Sequence, residues 1–427
     1  MGAEYINGAD NPIYKIADKL GVIADIISDT AQLQNAEYLI GNQPISRQDI
    51  DLFTKFVEPL DPKYRQLAKQ HDLLSRVYTI KSIFMEDYTL FLKLSPRVLT
   101  EWNDKGTEGE SFHTNKIGYK AILEHLRTAI PEHMFYFNTT ILNINHSAAG
   151  VTLTTSKGIV SKMYDYVIVT SSLGHLKKYH HNLFTPPLPR QKIEAIEKIG
   201  FGGSCKMFFR WEKPWWSNET CPMIPLPVEG MARDVIDPFE RELTTLQVLD
   251  WEPNTLTTWI AGAGQRVMDD MSDEEIIART TKLIRDLKND PSIEPPSEII
   301  RTRLTKNELL LGSYSYMSQA QARARISHSR LAIPVKYNKH PRVLFAGEAT
   351  HHRLFQTAIG AYLSGRREAD RLNSDWESTM SSVFGRTGFQ NYEENYTLSV
   401  NKVLHRQSID VICSQAKRPS TGGAGYP

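Results

Sequence analysis

Glu348, Thr357, Lys206 and Tyr314 bring a carboxyl, a hydroxyl, an ammonium and a phenol, side chains of types that can do chemistry. Two of them lie in RVLFAGEATHHRLFQTAIGAYLSGRREADRL, from Arg342 to Leu372. Val343, Leu344 and Phe345 read as a short apolar strand and Gly347 punctuates it. A helical pattern begins near Thr357 and continues through Ala361, Leu363 and Ala369. A helix that starts where a buried strand ends points its unpaired N–H groups and positive dipole end, here at Thr357 and Ala358, into the crevice. An anionic or electron-rich edge is the natural guest of such a terminus. On spacing alone the same unit also fits an ordinary strand-to-helix turn. Lys206 is the cation of the strand pattern in GFGGSCKMFFRWEKPWW, where a solvated charge is the plain alternative. Tyr314, in Gly312-Ser-Tyr-Ser-Tyr, offers an aromatic wall or simple sheet packing.

The elements that must hold these side chains follow from periodicity. With 427 residues the chain is long enough for two or three domains, at roughly one per 150 residues. Proline at 12 fits the first turn of a helix with Ile13, Ile16, Ala17 and Leu20 on one face. From Ser46 to Ala129 the pattern is mostly helical, carried by Ile50, Phe53, Phe56 and Val57 and again by Ile122, Leu123 and Leu126. Between these groups lie Trp102 and the loop NDKGTEGES. From Met134 the period switches to strand in FYFNTTILNINH, VTLTT and YDYVIVTSSLGHLKK. A helix from Pro189 to Ile199 is closed by Gly200, further strands run through TLQVLDW and TLTTWIAGAG, and Ser272 with Glu275 caps another helix.

Composition excludes some partners. Fifty Lys and Arg against 49 Asp and Glu leave a formal charge of +1, so no bulk field recruits nucleic acid or an anionic membrane. Three cysteines, Cys205, Cys221 and Cys413, show neither a disulfide framework nor metal-ligand spacing, which fits a reducing, cytoplasmic setting. No apolar run approaches the roughly 20 residues of a transmembrane helix.

Gly347-Glu-Ala-Thr-His, followed by Thr357-x-x-Gly-Ala-x-x-Ser-Gly, resembles the C-terminal flavin-binding signature of the flavin-containing amine oxidases, and among them the polyamine and spermine oxidases. The resemblance extends over residues 1 to 372 through several separate motifs. It implies a discontinuous, Rossmann-like α/β FAD-binding domain from 1–45, 130–200 and 318–372. A mixed-sheet and helix substrate domain comes from 46–129 and 201–317, and 373–427 is a C-terminal extension, partly disordered.

In that family the glutamate at Glu348 bonds the ribityl part of FAD beside Gly347, and the helix start at Thr357 and Ala358 faces the flavin. Lys206 holds a water beside flavin N5, Tyr314 forms a wall of the aromatic cage, and Thr357 lines the substrate side. The segment Gly2-Ala3, with Asn7 closing its loop, lies under the flavin, and Ile141 sits where relatives contact the adenine through the backbone. The implied reaction is oxidation of a polyamine secondary amine. Hydride passes to the flavin, the imine is hydrolysed, and oxygen is reduced to hydrogen peroxide.

Departures from the family pattern are equally specific. Leu304 stands where relatives carry a tryptophan on the isoalloxazine, and Asn7 replaces a His or Glu with a residue that carries no charge. The obligatory Gly-x-Gly-x-x-Gly cradle is not found; Gly262-Ala-Gly-Gln-Arg-Val comes closest but lacks its third glycine, and the helical pattern after it begins at Ser272. The expectation is a chain that begins after that unit, roughly 30 or more residues in. Two other readings therefore stand beside the polyamine oxidase: a non-catalytic relative that binds no FAD, and a flavin oxidase of another amine.

Overall fold

The computed structural model describes residues 3–27, 36–57, 111–203, 205–217, 222–226, 237–249, 251–375 and 411–412. The strand expected before Gly347 spans His340–Phe345, and Val343, Leu344 and Phe345 are all buried. It pairs in parallel with Val167–Val169, from the expected strand YDYVIVTSSLGHLKK, with Val169 opposite Phe345. As the edge strand of its sheet, Val167–Val169 buries Val169 but leaves Ile168 41% exposed, so it is not the fully buried strand its apolar run suggests. A four-stranded sheet built on Ile141–His146 and Val151–Thr155 shares its core through Ile144, Val151, Leu153 and Phe345. The helices Leu173–Leu183 and Arg190–Lys198 add Leu176 and Ile196, and Ile199 follows just past the second helix.

A second core lies on a seven-stranded sheet in the order Glu298–Arg301, Cys205–Arg210, Glu252–Ile260, Leu243–Leu249, Met223–Leu226, Glu37–Ile40, Gln43–Pro44. The helix Asp273–Lys288 covers it with Ile276, Ile284 and Leu287, capped by Ser272 Oγ accepting from the Glu275 N–H. A third, smaller core joins Ile6, Ile13, Ala17 and Ile122 to Leu354 and Ile359. The strands Tyr5–Asn7, Ser111–Thr114 and Ile23–Ile27 and the helices Pro12–Lys19 and Gly118–Arg127 thus rest on the beginning of a helix over 358–375.

Several expectations change. Strand pairing joins residues 37–44 to the sheet of the 201–317 segment, and residues 111–127 pair and pack with the N-terminal segment. Ser111–Thr114 is strand, not helix, and Leu123 is 64% exposed although Ile122 is buried. Trp102 and residues 103–110 of the polar loop fall outside the described residues, as do 376–410 and 413–427 of the extension. Gly262–Asp270 is itself a helix directly after a strand. That strand belongs to an antiparallel ladder, and a Cβ on Gly264 would lie 2.7 Å from the Pro238 carbonyl. The glycine serves helix packing and not a dinucleotide turn. Gly200 closes no helix; it opens the strand Gly200–Gly202, where a Cβ would meet the Tyr316 ring at 2.2 Å.

Asn11 fixes the entry to the Pro12–Lys19 helix. Its Oδ1 accepts from the Tyr14 N–H at 2.9 Å, and its Nδ2 donates to the carbonyls of Asn7 and Gly8 at 3.0 and 2.8 Å. Asn11→Ala removes the cap and orphans two carbonyls, and should lower the unfolding free energy by about 2 kcal/mol. Leu123→Ala should change it by less than about 0.5 kcal/mol. Urea denaturation of both variants checks the pair.

Candidate active site

The turn after His340–Phe345 depends on Gly347, whose φ of +119° is open to glycine and strained for other residues. Its N–H donates to Ser364 Oγ at 2.8 Å, holding the turn against the following helix. A Cβ there would meet nothing within 4 Å, so open space lies directly before the strand end. Thr357 caps the helix: its Oγ accepts from the Gly360 N–H at 2.9 Å and donates to the Leu354 carbonyl at 2.8 Å, making Ala358 the first helical residue. Arg367 binds helix to strand through the Phe345 carbonyl at 2.8 Å and the Thr350 carbonyl at 3.1 Å. The fully buried Glu368 balances Arg367 and Arg371.

Glu348 joins this turn to a different strand. One oxygen accepts from the Ser315 N–H at 3.1 Å; the other accepts from Ser315 Oγ at 2.7 Å and the Gln356 N–H at 2.8 Å. The residue keeps some accessible surface, but its carboxyl lies deep enough that burial pushes its pKa above the usual range, against the pull of those donors. A carboxylate has about four lone-pair directions, so one remains for a ligand hydroxyl.

Tyr314 precedes Ser315 on the strand Tyr314–Tyr316, which pairs with Gly200–Gly202. Gly203, at φ +115°, lies so close beneath Tyr314 that a Cβ would sit 2.9 Å from the ring and 2.1 Å from Ser313 Oγ. The same backbone leads into Cys205–Arg210 and Lys206. The tyrosine and the lysine are therefore positioned by one stretch of chain, and the tyrosine and Glu348 by another.

Lys206 is only 8% exposed, so it is no solvated strand charge. Its Nζ lies 2.6 Å from Glu4 Oε2 and 5.0 Å from the centre of the Trp259 ring, its partner across the ladder. The other Glu4 oxygen is bonded by His113 Nε2. The His113 ring stacks on Tyr5 at 4.9 Å, and Tyr5 on Trp259 at 6.4 Å. Burial would raise the Glu4 carboxyl, but the His113 hydrogen bond and the Lys206 charge outweigh it and hold the carboxyl below its ordinary value. Sequence reasoning found Lys206 and missed Glu4 and His113. The available signal was general: a lysine taken out of water needs a counter-charge.

Asn7 is exposed on Tyr5–Asn7 and donates to Ser111 Oγ at 3.2 Å, three residues from Glu4. Ala3 is exposed beside Glu4, and Gly2 lies outside the described residues. Ile141 and Leu304 stand apart in packing positions. Ile141 pairs with Thr155 against the first core; Leu304 packs on the second while its carbonyl accepts from Gly312 at 3.2 Å.

A lowered carboxyl contributes stability that is complete above its unfolded value, 4.5, and is lost as the pH falls through the folded value. At neutral pH, Glu4→Gln leaves Lys206 a buried, unpaired cation and should cost roughly 3–5 kcal/mol. The gap from wild type should close on acidification, and Glu4→Gln/Lys206→Met should recover most of the loss. Urea denaturation measured across acid and neutral pH checks all three outcomes.

The family model for flavin containing amine oxidoreductases matches residues 29–373. The chain is 36% identical over 220 residues to the peroxisomal N(1)-acetyl-spermine/spermidine oxidase of Homo sapiens, across 49% of this chain and 43% of that protein. The Bos taurus protein of the same name is 31% identical over 285 residues, 61% of this chain and 54% of its own. Histone demethylase-like protein A of Aspergillus fumigatus is 31% identical over 328 residues, 74% of this chain and 28% of its own. The chain spans about half the length of the polyamine oxidases it matches. Among the described residues no helix is long and apolar enough to cross a membrane. With most of its length matched and its strand-turn-helix, buried lysine and aromatic strand in place, the chain belongs to the flavin containing amine oxidoreductase family.

Proposed function

We propose that the protein oxidises a secondary amine of a polyamine, using FAD as its flavin and oxygen as the electron acceptor. The observation that carries this reading is the strand Tyr314–Tyr316. Its tyrosine packs over the backbone leading to Lys206, and its next residue, Ser315, holds Glu348 at the start of the flavin-type helix. On this reading the aromatic wall, the cation and the carboxylate serve one site, linked through the strand Tyr314–Tyr316.

The residues fit a flavin. The backbone at Gly347 is unobstructed to the reach of a Cβ, the helix start offers backbone N–H groups, and Glu348 retains an acceptor direction for a ribityl hydroxyl. When bound, the flavin supplies the hydride acceptor and hands the electrons on to oxygen. The rest of the work belongs to the chain. Tyr314 gives the amine a π face to lie against. Lys206 holds a water in a site where a fixed donor is worth far more than in bulk solvent. Glu4 cancels the Lys206 charge, so a polycation approaching the site meets no net repulsion from that pair. Asn7 and Thr357 line the substrate side, Ala3 and Ala358 the flavin side, and Asn7 provides hydrogen bonds without charge.

After incubation with FAD, the full chain should release hydrogen peroxide with spermine or N-acetylspermine. Lys206→Met should lower kcat by about 100-fold while flavin stays bound. No peroxide from either substrate by FAD-loaded protein would remove the oxidase reading.

A further inference from the structure

Away from Glu348 and Lys206, the ends of two helices meet at three potential ligands. His180 lies in the last turn of Leu173–Leu183 and is 2% exposed. Its Nδ1 lies 2.8 Å from the Leu176 carbonyl, which can only accept, so Nδ1 carries the proton and Nε2 keeps a bare lone pair. That Nε2 is enclosed and has no protein partner. A buried acceptor without a donor is costly and calls for a ligand. The His181 ring centre is 3.7 Å from that of His180, and Glu197 reaches in from the last turn of Arg190–Lys198. One ligating atom from each of the three lies within 4.8 Å of the other two.

We propose that His180, His181 and Glu197 bind a divalent cation of the zinc class and clasp these two helices together. Two imidazole nitrogens and a carboxylate oxygen suit that ion and leave one tetrahedral position for water. A backbone carbonyl on the far ring nitrogen is the support that metal-binding histidines ordinarily receive. Both helices also direct their partially negative C-terminal ends toward this spot, which favours a cation. Lys177 already answers that field, its Nζ donating to the Ile196 and Glu197 carbonyls at 2.7 and 2.8 Å. The ammonium opposes a metal charge beside it, so moderate affinity is expected. The other end of the first helix is capped by Ser172, just beyond the Val167–Val169 strand. His180 and His181 follow Ser172 by eight and nine residues, which places the clasp about 12–14 Å along the helix from that end, and its role is structural.

Zinc titration of the full chain, followed by calorimetry, should give saturable one-to-one binding, and cobalt(II) should produce a visible tetrahedral band. His181 and Glu197 are exposed, so His181→Ala and Glu197→Gln should fold normally by circular dichroism. Each should weaken zinc binding at least roughly tenfold and abolish the cobalt band. No saturable binding, or binding unchanged in both variants, would overturn the site.

Discussion

A buried ammonium must have a counter-charge, and this requirement organises the region around Lys206. Removing either partner of such a pair leaves the other charge in a poorly hydrated place, at a cost of several kcal/mol. Glu4 meets the requirement and His113 fixes its second oxygen, so the residues before Tyr5–Asn7 are drawn onto the strand Cys205–Arg210. Tyr5–Asn7 in turn belongs to the small core that rests on Leu354 and Ile359. One ion pair thereby connects the seven-stranded sheet to the small core that rests on the start of the helix over 358–375.

A second polar tie completes the frame. Glu348 spans from Ser315 to Gln356, joining the strand that carries Tyr314 to the turn before the same helix. The two ties differ electrostatically. Glu4 is stabilised as an anion by a neighbouring cation and a hydrogen bond, whereas Glu348 has only neutral donors and its carboxyl is raised by burial. The first is a fixed, neutralised pair; the second is a buried carboxyl held by three neutral donors, with one lone-pair direction left over.

Local pattern made part of this legible. A short apolar strand, a glycine and a helix start near Thr357 announce Arg342 to Leu372 because each step depends on neighbours in sequence, and the structure reproduces all three. The same holds for the proline-led first helix and the Ser272 cap. Most of the missed features depend on distant chain. Glu4 is 202 residues from Lys206, and Glu37–Ile40 finds its parallel partner at Met223–Leu226, so neither the counter-ion nor the strand pairing leaves a periodic trace. Gly200 reads as a helix stop but is required by the Tyr316 ring, a contact that only pairing with Tyr314–Tyr316 creates. The helix Gly262–Asp270 escaped because it has no side-chain cap and begins with glycines. Lys206 and Tyr314 themselves were recognisable by resemblance, while their residue types alone suit solvent or sheet packing equally well.

The central claim is that Gly347, Glu348 and the helix start hold the flavin end of the cofactor. Titration of the full chain with riboflavin, FMN and FAD, followed by quenching of flavin fluorescence, tests it most directly. Saturable quenching by riboflavin as well as FAD is predicted, with bands of bound flavin near about 380 and 450 nm. Glu348→Ala should weaken all three ligands together. A folded chain that binds none of the three, or one whose binding is unchanged by Glu348→Ala, would contradict it.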